Sequence, residues 1–217
     1  PTFENTIAAM ERSGRTLDRV STVFGIYSST LNDEAVQAVE REMAPKLAEF
    51  SDRITQNEAL FKRIAAVYDV RGTSGLTPEQ QRLTWVIYTD FARSGAKLDA
   101  DAKRQLSQIN QQLASLYTKF SQNVLADEND QQLVIESEAD LAGLPESVRA
   151  GAAQVAASRG KSGQWVIANT RSSVEPFLTY ADRRDLREKV WRMFVNRGDN
   201  GGATDNNASI SEILQLR

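Results

Sequence analysis

The apolar residues Phe3, Ile7, Met10, Leu17, Val20 and Phe24 are separated by 4, 3, 7, 3 and 4 positions, the period of one face of an α-helix. That spacing predicts a first helix running through all six. A second face, Val36, Val39, Met43, Leu47, Phe50 and Ile54, follows the start signal Asn32-Asp33 and holds Pro45, where a kink is expected. Asn57 is a suitable N-cap for a third helix carrying Leu60, Phe61, Ile64, Val67 and Tyr68. Arg71-Gly72-Thr73-Ser74-Gly75 then interrupts the pattern as a loop. Thr77-Pro78-Glu79-Gln80 restarts it with a cap, a proline at the first helical position and a capping-box glutamine. This fourth helix carries Leu83, Trp85, Val86, Ile87 and Phe91, and Gly95 ends it.

From about Asp99 the run Leu106, Ile109, Leu113, Leu116, Phe120, Val124 sustains the helical period over about seven turns, which predicts the longest helix of the chain. The rhythm then changes. Leu133-Val134-Ile135 and Trp165-Val166-Ile167 are β-branched and aromatic, and predict a small hairpin or sheet around 132–136 and 164–169. Between them, Leu144-Pro145-Glu146 opens an Ala-rich helix that Gly160 can close. After Pro176 an amphipathic helix carries Leu186, Val190, Trp191, Phe194 and Val195 and stops at Gly198. A last helix carries Ile210, Ile213, Leu214 and Leu216. The fold class is therefore mainly α, with one small β element, and 1–217 reads as a single helical lobe.

Composition narrows the chemistry. There is no Cys and no His among the 217 residues, which removes disulfides, thiolate sites, cysteine nucleophiles, and every Ser/His, Cys/His or HExxH arrangement. Catalysis by these residues alone would have to use carboxylates, Lys or Tyr. A net charge of −3, from 26 Lys and Arg against 29 Asp and Glu, gives no electrostatic case for nucleic acid or an anionic membrane as partner. No apolar run approaches the roughly 20 residues of a membrane span.

Four features invite a functional reading. Asp127, Glu128, Asp130, Glu136, Glu138 and Asp140 form an acidic cluster, expected as a solvated surface because its spacing matches no calcium loop. Asp182 to Arg197 is locally basic, yet Asp185 and Lys189, and Glu188 and Arg192, stand four apart with the acid first, the order that supports a surface helix. Arg197-Gly198-Asp199-Asn200-Gly201-Gly202 contains an Arg-Gly-Asp triplet and a glycine-rich stretch, best read as a helix stop followed by a turn. Trp85, Trp165 and Trp191, with Tyr88 and Phe91, are expected in the core. Tyr27, Tyr68, Tyr117 and Tyr180 sit near helix faces or ends, where packing and ligand contact are equally open readings.

Taken together, several stretches resemble one family. Pro1-Thr2-Phe3-Glu4-Asn5-Thr6-Ile7, Ser13-Gly14 and Val20-Ser21-Thr22-Val23-Phe24 resemble the N-terminal region of thimet oligopeptidase-type zinc metallopeptidases, most of all their bacterial peptidyl-dipeptidase (dipeptidyl carboxypeptidase) branch. Tyr88-Thr89-Asp90-Phe91, Leu113-Ala114-Ser115-Leu116, Phe120-Ser121-Gln122-Asn123-Val124-Leu125, Leu141-Ala142-Gly143-Leu144-Pro145, Asn196-Arg197-Gly198 and Asp205-Asn206-Asn207 are similar to the same family. The resemblance implies a helical, two-lobed body enclosing a channel for short peptides. It also implies a zinc ion held by an HExxH helix and a later Glu, whose motif glutamate activates the zinc-bound water.

This chain has no His, so no catalytic, cofactor-binding or metal residue is carried over. The expectation is an N-terminal fragment cut at both ends and inactive alone, with zinc and the catalytic lobe in the parent. Its partners would be short peptides and that missing lobe. The implied compartment is cytoplasmic, or periplasmic if a signal precedes Pro1. The competing reading is a stand-alone helical interaction module without catalytic activity.

Overall fold

The computed structural model describes residues 1–217. The chain groups into two compact units, Pro1–Thr118 with Leu216, and Lys119–Gln215 with Arg217.

The first unit opens with Phe3–Ala8, wound as a π-helix and continued by the single α-turn Ala9–Glu11. Thr2 caps it reciprocally with Asn5, each side chain bonding the other's backbone N–H. Next come α1 (Arg15–Thr30), α2 (Glu34–Thr55), α3 (Glu58–Asp69) and α4 (Pro78–Phe91). The predicted first helix is thus two elements. Gly14 sits at φ 79° between them, a left-handed conformation that ends one helix and re-aims the next. The other starts follow local signals: Asp33, Asn57 and Thr77 accept from the N–H groups of Val36, Leu60 and Gln80 at 2.9, 2.9 and 3.2 Å. Helix α2 continues past Pro45. The core of this unit comes from the opening segment, α3, α4 and the turn after α4: Ile7, Ile64, Val67, Ile87, Phe91 and Ala96 are buried together.

Helix α5 (Ala100–Asp130) is 31 residues long, about 46 Å at the usual rise per residue. Asp99 caps it by accepting from the Ala102 N–H at 2.8 Å.

The second unit contains β1 (Gln132–Ile135), α6 (Glu146–Ser158), β2 (Trp165–Ala168), α7 (Arg171–Tyr180), α8 (Arg184–Val195) and α9 (Asn207–Leu216). β1 and β2 pair antiparallel, Gln132 opposite Ala168 and Ile135 opposite Trp165. Because α6 lies between them in the chain, they form a two-stranded sheet rather than a tight hairpin. Ile135, Leu141, Leu144, Ala152, Ile167, Val174, Phe177 and Val190 close one core around this sheet. Phe177 is fully buried there.

Helix α7 is absent from the sequence reading, which takes Pro176 as a boundary. Pro176 lies inside the helix, where it removes a single intrahelical N–H bond. Two observations explain why the helix survives. The Val174 N–H donates to Thr170 O at 2.9 Å ahead of the proline. Ser173 Oγ accepts from the Ala168 N–H at 3.1 Å, tying the helix start to β2, while Val174 and Phe177 anchor its inner face.

Candidate functional site

In the first unit the apolar faces of α1 and α2 do not enter the core. On α1, Leu17, Val20, Val23, Ile26 and Tyr27 are all 40% exposed or more. On α2, Val39, Met43, Leu47, Phe50 and Ile54 form one stripe that is 36–43% exposed. The periodicity correctly marks a helix face, but the core closes without it. Val20, Val23, Phe24 and Tyr27, with Thr16 and Arg19, line an open recess of about 490 Å³. Large exposed apolar patches, where they occur, mark interaction sites in many proteins.

The only buried charge on α2 is Asp52, which accepts from Asn110 Nδ2 on α5 at 2.8 Å. Lys103 on α5 donates to Gln56 O at 3.0 Å one turn away.

The tyrosines of α3 and α4 form a stack. The Tyr68 and Tyr88 rings lie 3.9 Å apart and nearly parallel, and Phe61 continues the column 5.5 Å from Tyr88. The Arg71 guanidinium sits 3.7 Å over Tyr68, and Lys97 lies 5.1 Å from Tyr88. A hydrogen bond to the Tyr88 side chain holds the Lys97 ammonium above the ordinary lysine range. A lysine base needs the opposite shift.

In the second unit the acidic cluster does not behave as one solvated surface. Asp127 is 2% exposed and accepts from the Gly198 N–H at 2.9 Å, Asn200 Nδ2 at 2.5 Å and Thr204 Oγ1 at 3.5 Å. Beside it, Glu128 pairs with Arg197 at 2.8 Å, and Arg197 also lies over the Phe194 ring. Asn206, equally buried, donates to Phe120 O at 3.1 Å and accepts from Asn123 Nδ2 at 3.0 Å, while its N–H donates to Gly198 O at 2.7 Å. Together these bonds clamp the loop after α8 to the end of α5. Asp140 pairs with Arg183, whereas Asp130, Glu136 and Glu138 stay exposed. No three of the carboxylates converge as a cation cage requires.

The Arg-Gly-Asp triplet is part of that clamp. Gly198 is buried at φ 73°, and Asp199 accepts from Asn207 Nδ2 at 2.7 Å, so the triplet is not a free loop tip. The helix-stop reading holds.

On α8 the expected Glu188–Arg192 pair forms at 2.8 Å, but Asp185 turns back to Arg183 instead of reaching Lys189. Both Asp185 oxygens are met by the Arg183 fork at 2.8 Å, a bidentate geometry that an ammonium cannot offer. The Arg183 hydrogen bond pulls the Asp185 carboxyl down to about 2.

Among the aromatics, Phe91 is core, Trp85, Trp165 and Tyr88 are half-buried, and Trp191 is 50% exposed. Trp191 departs from the core expectation because Leu186 and Val190, with Met193 and Phe194 packed beside them, make the inner face of α8. It borders a surface recess with Leu178, Arg184, Arg187 and Glu188. Tyr27, Tyr117 and Tyr180 are exposed, and Tyr68 belongs to the stack. None of these side chains is set beside a base that would make it a nucleophile.

Along its whole length this architecture, helical with one two-stranded sheet, has homologues among the dipeptidyl carboxypeptidases and oligopeptidases A, each matched over part of its own length. The whole chain is 34% identical over 217 residues to the dipeptidyl carboxypeptidase of Escherichia coli, and spans 32% of that relative. It is 31% identical over 217 residues to the dipeptidyl carboxypeptidase of Salmonella typhimurium, and again spans 32% of its length. Against oligopeptidase A of Haemophilus influenzae it is 30% identical over 220 residues, the whole chain against 32% of the relative. The chain therefore spans about a third of the curated relatives it matches. No protein-family model matches it.

Proposed function

We propose that this chain is the substrate-channel-forming N-terminal part of a zinc metallopeptidase of the peptidyl-dipeptidase and oligopeptidase type, and that it is inactive alone. The observation that carries the reading is end-to-end similarity, over all 217 residues, to a dipeptidyl carboxypeptidase of which it spans 32%. The residue inventory agrees, because a chain without His or Cys lacks the nitrogen and sulfur ligands that suit zinc.

The chain's share of the work is architectural. The exposed faces of α1 and α2 suit one wall or lid of a peptide channel, or the seam against the catalytic lobe. Zinc belongs to that lobe, and short unstructured peptides are the substrates. No helix is long and apolar enough to cross a membrane, and the proposed compartment is the cytoplasm, with the periplasm as the alternative.

A chimera tests this. The chain replaces the matching third of the E. coli dipeptidyl carboxypeptidase, and hydrolysis of short peptides is followed with and without a chelator. Chelator-sensitive cleavage by the chimera, with none by the isolated chain, is expected. Zinc-dependent cleavage by the isolated chain overturns the inactivity. A folded but dead chimera favours the second reading, an interaction module that uses the same exposed face.

A further inference from the structure

Asn200-Gly201 is the dipeptide in which an asparagine side chain cyclises most readily, because glycine offers no Cβ to obstruct attack by its own nitrogen. In the reaction the Gly201 nitrogen bonds to Asn200 Cγ, the Cγ–Nδ2 bond breaks, and Nδ2 leaves as ammonia with the proton given up by the Gly201 nitrogen. Water then opens the succinimide at either carbonyl, leaving aspartate, or isoaspartate with the main chain rerouted through Cγ. Both residues are exposed, so water has access.

Each group in that reaction is engaged by the fold. The Gly201 N–H donates to Asp205 Oδ2 at 2.9 Å. Asn200 Nδ2 donates to Asp127 Oδ1 at 2.5 Å and to Thr204 Oγ1 at 3.2 Å, while Asn200 Oδ1 accepts from the Gly202 N–H at 2.9 Å. Attack requires the Gly201 nitrogen to lose its proton, and a carboxylate already accepting that proton opposes the developing negative charge. Backbone donors, the Asn207 and Gly201 N–H groups first, hold the Asp205 carboxyl below its usual range, so it is ionised at neutral pH and a weak base.

We infer that Asn200-Gly201 is a latent deamidation site, held in the amide form by the Asp127 and Asp205 carboxylates and able to unfasten its own loop once converted. The product explains the second half. Conversion replaces the Asn200 donor with a carboxylate facing buried Asp127 across a former hydrogen bond, and two such carboxylates cannot both ionise without cost. Asp127 also holds the Gly198 N–H and Thr204, so repulsion at this point loosens the loop that ends at Asn206.

The test incubates the chain in mildly alkaline buffer, native and in denaturant, and maps aspartate and isoaspartate at position 200 by peptide mass spectrometry. Conversion is expected to be about tenfold or more slower in the native chain, since a loop that opens only locally and transiently exposes the reactive geometry for a small fraction of the time. Asp205→Ala, with its fold checked by circular dichroism, should convert faster than the native chain. Equal rates for native and denatured chain, or for Asp205→Ala and the native chain, overturn the inference.

Asn200→Asp supplies the converted side chain directly. It should melt below the unaltered chain at neutral pH, and the gap should close toward about pH 4 as the carboxylate pair takes up a proton. The same gap at both pH values, or none at neutral pH, overturns the unfastening.

Discussion

Gly143→Ala should destabilise the second unit sharply, for two reasons that add. Gly143 sits at φ 84°, where an L-residue pays about 1–2 kcal/mol for crowding its own backbone. A Cβ there would also stand 2.2 Å from Tyr180 O and 2.7 Å from Asp182 Oδ1. The first of these is a main-chain atom that no rotamer change can move. The neighbouring Asp182 N–H to Ala142 O bond, 2.9 Å long, fixes the two segments against each other, so relief requires that crossing to part. Overpacking of this sort adds about 1–3 kcal/mol, for a total of about 2–5 kcal/mol. In a chain of this size that corresponds to a fall in melting temperature of roughly 5–15 °C.

Thermal and urea unfolding followed by circular dichroism read the effect. Gly151→Ala is the matched control, since Gly151 lies inside α6 with nothing within 4 Å of its missing Cβ. It should gain about 0.5–1 kcal/mol from helix propensity. If Gly143→Ala melts with the unaltered chain while Gly151→Ala behaves as expected, the close crossing is not a constraint on this fold.

Asp127→Ala should cost about 2–4 kcal/mol in urea unfolding, because it strands the buried Gly198 N–H and removes the acceptor of Asn200; an unchanged midpoint refutes the clamp. The Asp185 carboxyl, held down to about 2 by Arg183, should titrate well below an ordinary aspartate when followed by NMR. Because its folded value is depressed, the stability linked to it is present above the unfolded value near 3.9 and is lost as pH falls toward 2. Arg183→Gln should return that titration to the usual range, and an unmoved titration counts against the bidentate pair. Val23→Lys with Met43→Lys should lower the binding of a hydrophobic-surface dye without lowering the melting temperature, since both side chains are exposed. A large loss of stability instead would show that the α1 and α2 faces are core.

What was legible in the sequence was whatever is decided within a few residues. The Asn57 cap, the Thr77 and Gln80 capping box and the stop at Gly160 depend on side chains reaching their own turn, and all three stand where the pattern puts them. Helical period was equally readable, but period says only that a helix has an apolar face. Whether anything covers that face is a long-range matter, and for Val20, Val23 and Met43 nothing within the chain does so fully. The role of Asp127 was hidden for the same reason. Its donors Gly198 and Asn200 lie more than seventy residues away, so an acidic cluster that reads as solvated holds a fully engaged buried carboxylate. Helix α7 was missed because a proline outweighs propensity in a local reading, whereas Val174 and Phe177 settle the matter by burial.

Three of the stretches that carry the family resemblance help to hold the second unit together. Leu141-Ala142-Gly143-Leu144-Pro145 supplies two buried leucines and the glycine crossing. Asn196-Arg197-Gly198 and Asp205-Asn206-Asn207 supply the two ends of the loop clamped at Asp127, where a Cβ on Gly198 would meet Asn206 Nδ2 at 3.0 Å. These residues are spent on backbone geometry and buried hydrogen bonds, which explains how a segment with no His can resemble a peptidase from end to end. Their similarity fits a shared scaffold, and under the proposed reading the chemistry belongs to the catalytic lobe. The exposed faces of α1 and α2 are then the surfaces through which such a scaffold would act, and the chimera and the Val23→Lys, Met43→Lys pair address them directly. A chimera that loses peptide cleavage when those two lysines are introduced, while keeping its melting temperature, would assign the faces of α1 and α2 to the working surface of the enzyme and not merely to its support.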